Sequence, residues 1–159
     1  MAVTFVRIDD RLVHGQVVEG WIPFLGIDDV IVVSDSASQD DMRKTLMRLS
    51  LPEEISLSVL SVADAVSALA AAAAGKTKTL VLAASPLEVE SLLEKGVKLE
   101  NVNVGGMHYS VGKMQIGRAV FLSEEDVNSL KKISAAGVKL EGRGVPTDKA
   151  SDVIAMMHA

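Results

Sequence analysis

Residues 3–33 read VTFVRIDDRLVHGQVVEGWIPFLGIDDVIVV, and the order of element types within them decides the fold. Residues 3–8 form a β-branched run that reads as a strand, and residues 9–16 are a polar loop. Residues 17–25 read as a helix ended by Gly26. Residues 30–33 are then apolar without interruption, the pattern of a strand buried on both faces of a parallel sheet. The rest of the chain repeats this alternation. Further strands are expected over 55–60, 79–83, 101–104, 119–122 and 139–141. Helices are expected over 40–49, over 62–74 stopped by Gly75, over 87–95 stopped by Gly96, and over a terminal stretch 150–156. Another helix opens at Ser123-Glu124-Glu125-Asp126, a cap with an acidic first turn, and ends at Gly137. Asp35 to Ser38 supply a turn and cap, and 105–118 is an irregular stretch holding four glycines. Strands alternating with helices predict a three-layer α/β/α domain spanning 1–159, with a mostly parallel sheet of about six or seven strands.

Composition bounds the function. A hydrophobic fraction of 48% with 23% charged residues supplies a core, and excludes disorder, a collagen-like fibre and a disulfide scaffold. Aromatics are few (Phe5, Trp21, Phe24, Tyr109 and Phe121), so Ala, Val, Leu and Ile must fill that core. The 16 basic and 21 acidic residues leave a net charge of −5, which argues against nucleic-acid binding because phosphate backbones need a basic footprint. Without cysteine there is no disulfide, thiolate metal site or thiol nucleophile. The opening MAVTFVRIDD carries charges at 7, 9 and 10 and does not read as a signal peptide. The apolar stretch 62–74 contains Asp64 and is too short to cross a bilayer. A soluble intracellular protein is expected.

In open α/β sheets, ligands bind beyond the carboxyl ends of the strands, where strand order reverses. The loops at that edge are 9–16, 34–38, 84–86 and 105–118. The first is the richest, with Asp9, Asp10, Arg11, His14, Gly15 and Gln16 close together. His14 reads either as a loop histidine bonded to a neighbouring carboxylate or as a nucleophile or acid–base. Neutral imidazole is populated near neutral pH, and a neighbouring Asp can fix one tautomer, leaving the other nitrogen as an attacking lone pair. Arg11 can pair with a phosphoryl group through its planar fork. Gly15, Gln16 and the following helix N-terminus favour a dianion. Together these residues read as a phosphate-handling loop. It is neither a P-loop nor a dinucleotide fingerprint, since GxxxxGK[ST] and GxGxxG are absent. The three histidines, His14, His108 and His158, have no metal-ligand spacing, and no metal or cofactor is expected. Asp35, Ser85, His108 and Lys113 lie in the other edge loops and are auxiliary candidates.

The segment Arg7-Ile8-Asp9-Asp10-Arg11-Leu12-Val13-His14-Gly15-Gln16-Val17, followed by Trp21, closely resembles the signature of IIB subunits of the mannose/fructose/sorbose-type sugar phosphotransferase system. Val32-Val33-Ser34-Asp35, with Asp40, Arg43, Lys44 and Leu46, resembles that family's second strand and helix. Asn103-Val104-Gly105-Gly106-Met107-His108, with Gly112, Lys113 and Gln115, resembles its second signature, and the match runs on to Gly137-Val138 and Val145-Pro146. The resemblance implies a metal-free phosphoryl relay. A phosphorylated IIA protein or domain would donate to Nδ1 of His14, which would pass the group to a sugar bound by membrane IIC and IID subunits. Arg11 would stabilise the moving group, and Asp9 or Asp10 would orient the imidazole. An Asn variant of the orienting aspartate is expected to slow phosphorylation with little change in melting temperature. The protein would then be cytoplasmic and peripherally associated with the permease. Rival readings are an orphan IIB-like regulatory protein and a small-molecule binding module.

Overall fold

The computed structural model describes residues 4–108, 110–116 and 120–158. Val3 and Ala119, the expected first residues of two strands, Arg118 at the end of the glycine-rich stretch, and Tyr109 lie outside them. The strands among the described residues are β1 (Thr4–Ile8), β2 (Asp29–Val33), β3 (Ser56–Leu60), β4 (Thr79–Ala83), β5 (Asn101–Val104), β6 (Met114–Gln115), β7 (Phe121–Leu122), β8 (Lys139–Gly142) and β9 (Ser151–Asp152). Seven form one sheet in the order β3-β2-β4-β1-β5-β8-β9. All its neighbours pair in parallel except β9, which runs antiparallel to β8 at the edge. The expected three-layer, mostly parallel α/β architecture is therefore the one observed.

Side chains alternate across each strand, so successive residues enter different layers. Val30, Val32, Leu80 and Leu82 pack beneath a π-helical turn Val17–Trp21 and helices α1 (Ile22–Leu25), α2 (Asp35–Ser38) and α3 (Asp41–Ser50). Ile31, Val33, Val81 and Ala83 pack beneath α4 (Val62–Ala74), α5 (Pro86–Glu94), α6 (Glu124–Ala135) and α7 (Val153–Met157). Burial on both faces explains the unbroken apolar runs. Helix starts follow their capping residues: Asp40 accepts from Arg43 N–H at 3.0 Å and Ser61 from Asp64 N–H at 3.1 Å. Ser123 and Asp126 form a reciprocal capping box.

Four local expectations change. Phe121–Leu122 does not join the main sheet; it pairs with Met114–Gln115 in a separate antiparallel ribbon. The place beside β5 is taken by β8, so the intervening chain closes on itself instead. The helix expected over 17–25 is split, because Ile22 N–H reaches Val17 C=O and widens the turn before α1 begins. The turn over 35–38 is a short helix, α2. The terminal helix begins only at Val153, since Ser151 and Asp152 are used in pairing with Gly142 and Glu141.

Strand β1 lies between β4 and β5. Its own connection enters the layer of α1, whereas those of β4 and β5 lead to α5 and α6 in the opposite layer. The loop after Ile8 thus emerges where neighbouring connections diverge, the place a ligand can reach.

Candidate functional site

The first group past β1 is Asp9, fully buried beside the equally buried Arg7. Arg7 directs Nε and Nη2 onto Oδ2 of Asp9 at 3.2 and 3.1 Å. The same guanidinium donates to Asn103 Oδ1 at 2.5 Å, to the Arg143 carbonyl at 2.8 Å and to the Gly144 carbonyl at 2.9 Å. It also stands 5.1 Å from the centre of the Trp21 ring, whose Nε1–H donates to Gly144 C=O at 3.0 Å. The buried charge is thus surrounded by acceptors drawn from the loop after β1, from β5 and from the segment after β8. Gly105 makes room for it, because a Cβ there would fall 2.1 Å from the guanidinium carbon.

Asp9 carries two further bonds. Its Oδ1 accepts from Arg11 N–H at 3.1 Å, and its Oδ2 stands 2.9 Å from Nε2 of His14. Burial pushes this carboxyl upward, but the His14 hydrogen bond, the Arg7 and His14 charges and the Arg11 amide outweigh it and hold Asp9 below its usual value. For Arg7, burial outweighs the Asp9 pair and lowers the guanidinium from its ordinary value. An ionised carboxylate only accepts, so the proton of neutral His14 sits on Nε2. Nδ1 is left with its lone pair and makes no bond to a described residue.

The loop holds this geometry by local strain and burial. Leu12 adopts φ 60°, costly for a branched side chain, yet it is fully buried and its N–H bonds to Asp9 C=O at 3.0 Å. His14 C=O accepts from Val18 N–H at 2.9 Å and opens the helical turn, so Gly15 and Gln16 occupy its first positions. First-turn N–H groups have no intrahelical acceptor and face an incoming anion. Arg11 is exposed, and its guanidinium has no partner among the described residues. A cleft of about 510 Å³ opens beside this loop, lined by Gln16, Gly105, Gly106, Arg143, Gly144 and Lys149 among others.

Asp10 does something different from its neighbour. Its two oxygens meet His108, Oδ2 accepting from the backbone N–H at 2.6 Å and Oδ1 facing Nδ1 at 2.5 Å. Lys113 Nζ donates to the His108 carbonyl at 3.4 Å and lies 3.9 Å from Asp126. Of the two aspartates, then, Asp9 meets His14 and Asp10 meets His108. Asp35 is used elsewhere, its Oδ1 accepting from Val62 N–H at 2.8 Å at the start of α4. Ser85 donates its hydroxyl to Glu88 at the start of α5. Among the described residues no cluster of three or more His, Cys, Asp or Glu is placed to hold a metal. Arg7, Trp21 and Asn103 stand in the quoted signatures without a role, and the structure gives them one around Asp9; the carbonyls of Arg143 and Gly144 are the members the sequence reading missed. Arg7 also carries a local signal of its own, a charge inside a strand otherwise apolar enough to be buried.

Fold and loop together define a small α/β domain that presents one carboxylate-oriented histidine at the exit of its central strand. The chain matches the model of the family described as PTS system sorbose subfamily IIB component over residues 3–159. The PTS system sorbose-specific EIIB component of Lacticaseibacillus casei is 37% identical over 155 residues, covering 98% of this chain and 94% of that protein. The PTS system mannose-specific EIIAB component of Escherichia coli (strain K12) is 39% identical over 148 residues, covering 93% of this chain but 46% of that longer protein. The crystal structure of the IIBSor domain of the sorbose permease from Klebsiella pneumoniae superposes with a TM-score of 0.91 at 30% identity, covering 99% of this chain and 97% of that one. The chain belongs to the sorbose subfamily of phosphotransferase-system IIB components, and is a phosphotransferase component.

Proposed function

We propose that the protein takes a phosphoryl group onto Nδ1 of His14 from a phosphorylated IIA protein and delivers it to a sugar handled by membrane IIC and IID subunits. The observation that carries this reading is the bond from His14 Nε2 to buried Asp9, which leaves Nδ1 open. As the Nδ1–P bond forms, the donor's P–N bond breaks. The Nε2 proton stays in place, and the positive charge growing on the ring is met by Asp9. Such transfers depend on alignment and charge stabilisation. Arg11 supplies a guanidinium fork to the phosphoryl oxygens, and the Gly15 and Gln16 N–H groups supply further donors. The designation EIIAB of the mannose-specific relative, which extends well beyond the matched part, supports a IIA unit as the immediate donor. No helix among the described residues is long and apolar enough to cross a membrane, so contact with the permease would be peripheral.

The test is incubation with phosphorylated IIA followed by mass spectrometry of the labelled residue. Label is expected on His14, to be lost in His14→Ala and to be labile in acid but stable in base. Label that persists in His14→Ala, or that resides on His108, overturns the assignment.

A further inference from the structure

We propose that His108, held by Asp10, is the general base that takes the proton from the sugar hydroxyl as His14 releases its phosphoryl group. The inference rests on the carrier reading above and extends it to the second half of the cycle.

The two carboxylate–imidazole pairs of the site use opposite ring nitrogens. Asp9 meets Nε2 of His14 and frees Nδ1 for phosphorus. Asp10 meets Nδ1 of His108 at 2.5 Å and also takes its backbone N–H at 2.6 Å. In neutral His108 the proton is therefore on Nδ1, and the lone pair is on Nε2, which has no partner among the described residues. A histidine held this way is built to accept a proton: the carboxylate orients the ring and stabilises the imidazolium that forms. The His108 side chain is 43% exposed, so an incoming hydroxyl can reach it, whereas that of His14 is 17% exposed. The two pairs also adjoin. A Cβ on Gly106 would stand 3.2 Å from Cε1 of His108 and 3.5 Å from Oδ1 of Asp9. The Asp10 N–H, bonded to Gly106 C=O at 3.0 Å, ties the two loops together at that point.

The chemistry of the two half-reactions explains why one imidazole does not suffice. In uptake from a phosphohistidine, phosphorus moves between nitrogens and no proton need leave. In delivery, the sugar oxygen forms a bond to phosphorus, the Nδ1–P bond of His14 breaks, and the hydroxyl proton must go to an acceptor. His14 keeps its Nε2 proton on Asp9 and returns to its neutral form. Nε2 of His108 takes the sugar proton and becomes an imidazolium facing Asp10, then gives that proton to solvent.

The experiment measures the two half-reactions separately by single turnover on wild type, His108→Gln and Asp10→Asn. Uptake is followed with phosphorylated IIA, and delivery with membranes containing IIC and IID plus sugar. His108→Gln keeps the backbone N–H that Asp10 holds but cannot take a proton. It is expected to load within about threefold of wild type and to deliver at least about 100-fold more slowly. Asp10→Asn should show the same split. Delivery by His108→Gln at the wild-type rate overturns the proposal. Equal slowing of both half-reactions also overturns it, since it would mean that His108 only shapes the loop. Wild-type protein that takes no phosphoryl group from IIA overturns the carrier reading itself, and this proposal with it.

Discussion

Asp9 has both carboxylate oxygens engaged, by a guanidinium, an imidazole and an amide, inside the protein. Replacing it by Asn leaves Arg7 buried with its charge unanswered, and breaking a buried pair costs about 3–5 kcal/mol. An orienting role for Asp9 or Asp10 implies an Asn variant with slowed phosphorylation and little change in melting temperature; for Asp9, burial against Arg7 adds a stability cost. Chemical denaturation of Asp9→Asn at neutral pH should show that loss. The sign with pH follows from the lowered folded value of Asp9. Its contribution is full above the ordinary value of 3.8 and fades as pH falls from there through the lower folded value. Wild type should therefore lose more stability than Asp9→Asn over that acid window, measured by midpoint denaturant concentration at each pH. Arg11 behaves oppositely. Exposed and without a side-chain partner among the described residues, it contributes little to folding. Arg11→Lys keeps the charge and loses the fork, so it should melt near wild type yet slow delivery to sugar by at least about tenfold, equivalent to roughly 1.4 kcal/mol of barrier. Wild-type rates in both half-reactions for Arg11→Lys and Arg11→Ala would remove the guanidinium from the mechanism.

Among the elements, the Gly105-Gly106 pair after β5 and the loop after β1 are fitted to one another. A methyl group at Gly105 would occupy the space of the Arg7 guanidinium, whereas Gly15 has nothing within 4 Å of the corresponding position. Gly105→Ala should therefore destabilise the protein by at least about 1–3 kcal/mol and slow uptake as Asp9 shifts, while Gly15→Ala should melt within about 1 kcal/mol of wild type. Thermal melts of the two variants check this. Here also lies the boundary of what the sequence conveys. Unbroken runs such as Val30–Val33 and Thr79–Ala83 announce buried parallel strands because burial on both faces demands them. The density of chemical groups around His14 marks the edge loop for the same local reason. The division of labour between Asp9 and Asp10 is not local: His108 lies 98 residues from Asp10, and the Arg143 carbonyl lies 136 residues from Arg7. Phe121–Leu122 has a strand's composition, and its exclusion from the main sheet is decided by β8, which takes the place beside β5.

Over the whole molecule, protection should grade from the middle of the sheet outward. Strands β1 and β4 have partners on both sides and apolar residues in both core layers, while β9 is a two-residue antiparallel edge. Native-state hydrogen exchange should find amides of Phe5–Ile8 and Leu80–Ala83 opening only with global unfolding, and those of Ser151 and Asp152 opening locally at much lower free energy. Uniform protection across the sheet would contradict that gradient. The order of the strands has a temporal consequence as well. Strand β1 is the earliest in the chain, yet the strands that flank it begin only at Thr79 and Asn101, and Arg7 finds its last acceptors at Arg143 and Gly144. Within this domain Asp9 and His14 are synthesised before the segments that surround Arg7 and complete the shell around Asp9. A chain stalled before those segments would carry the histidine without the full shell around Asp9, so under the proposed carrier role competence to accept phosphate would report finished folding.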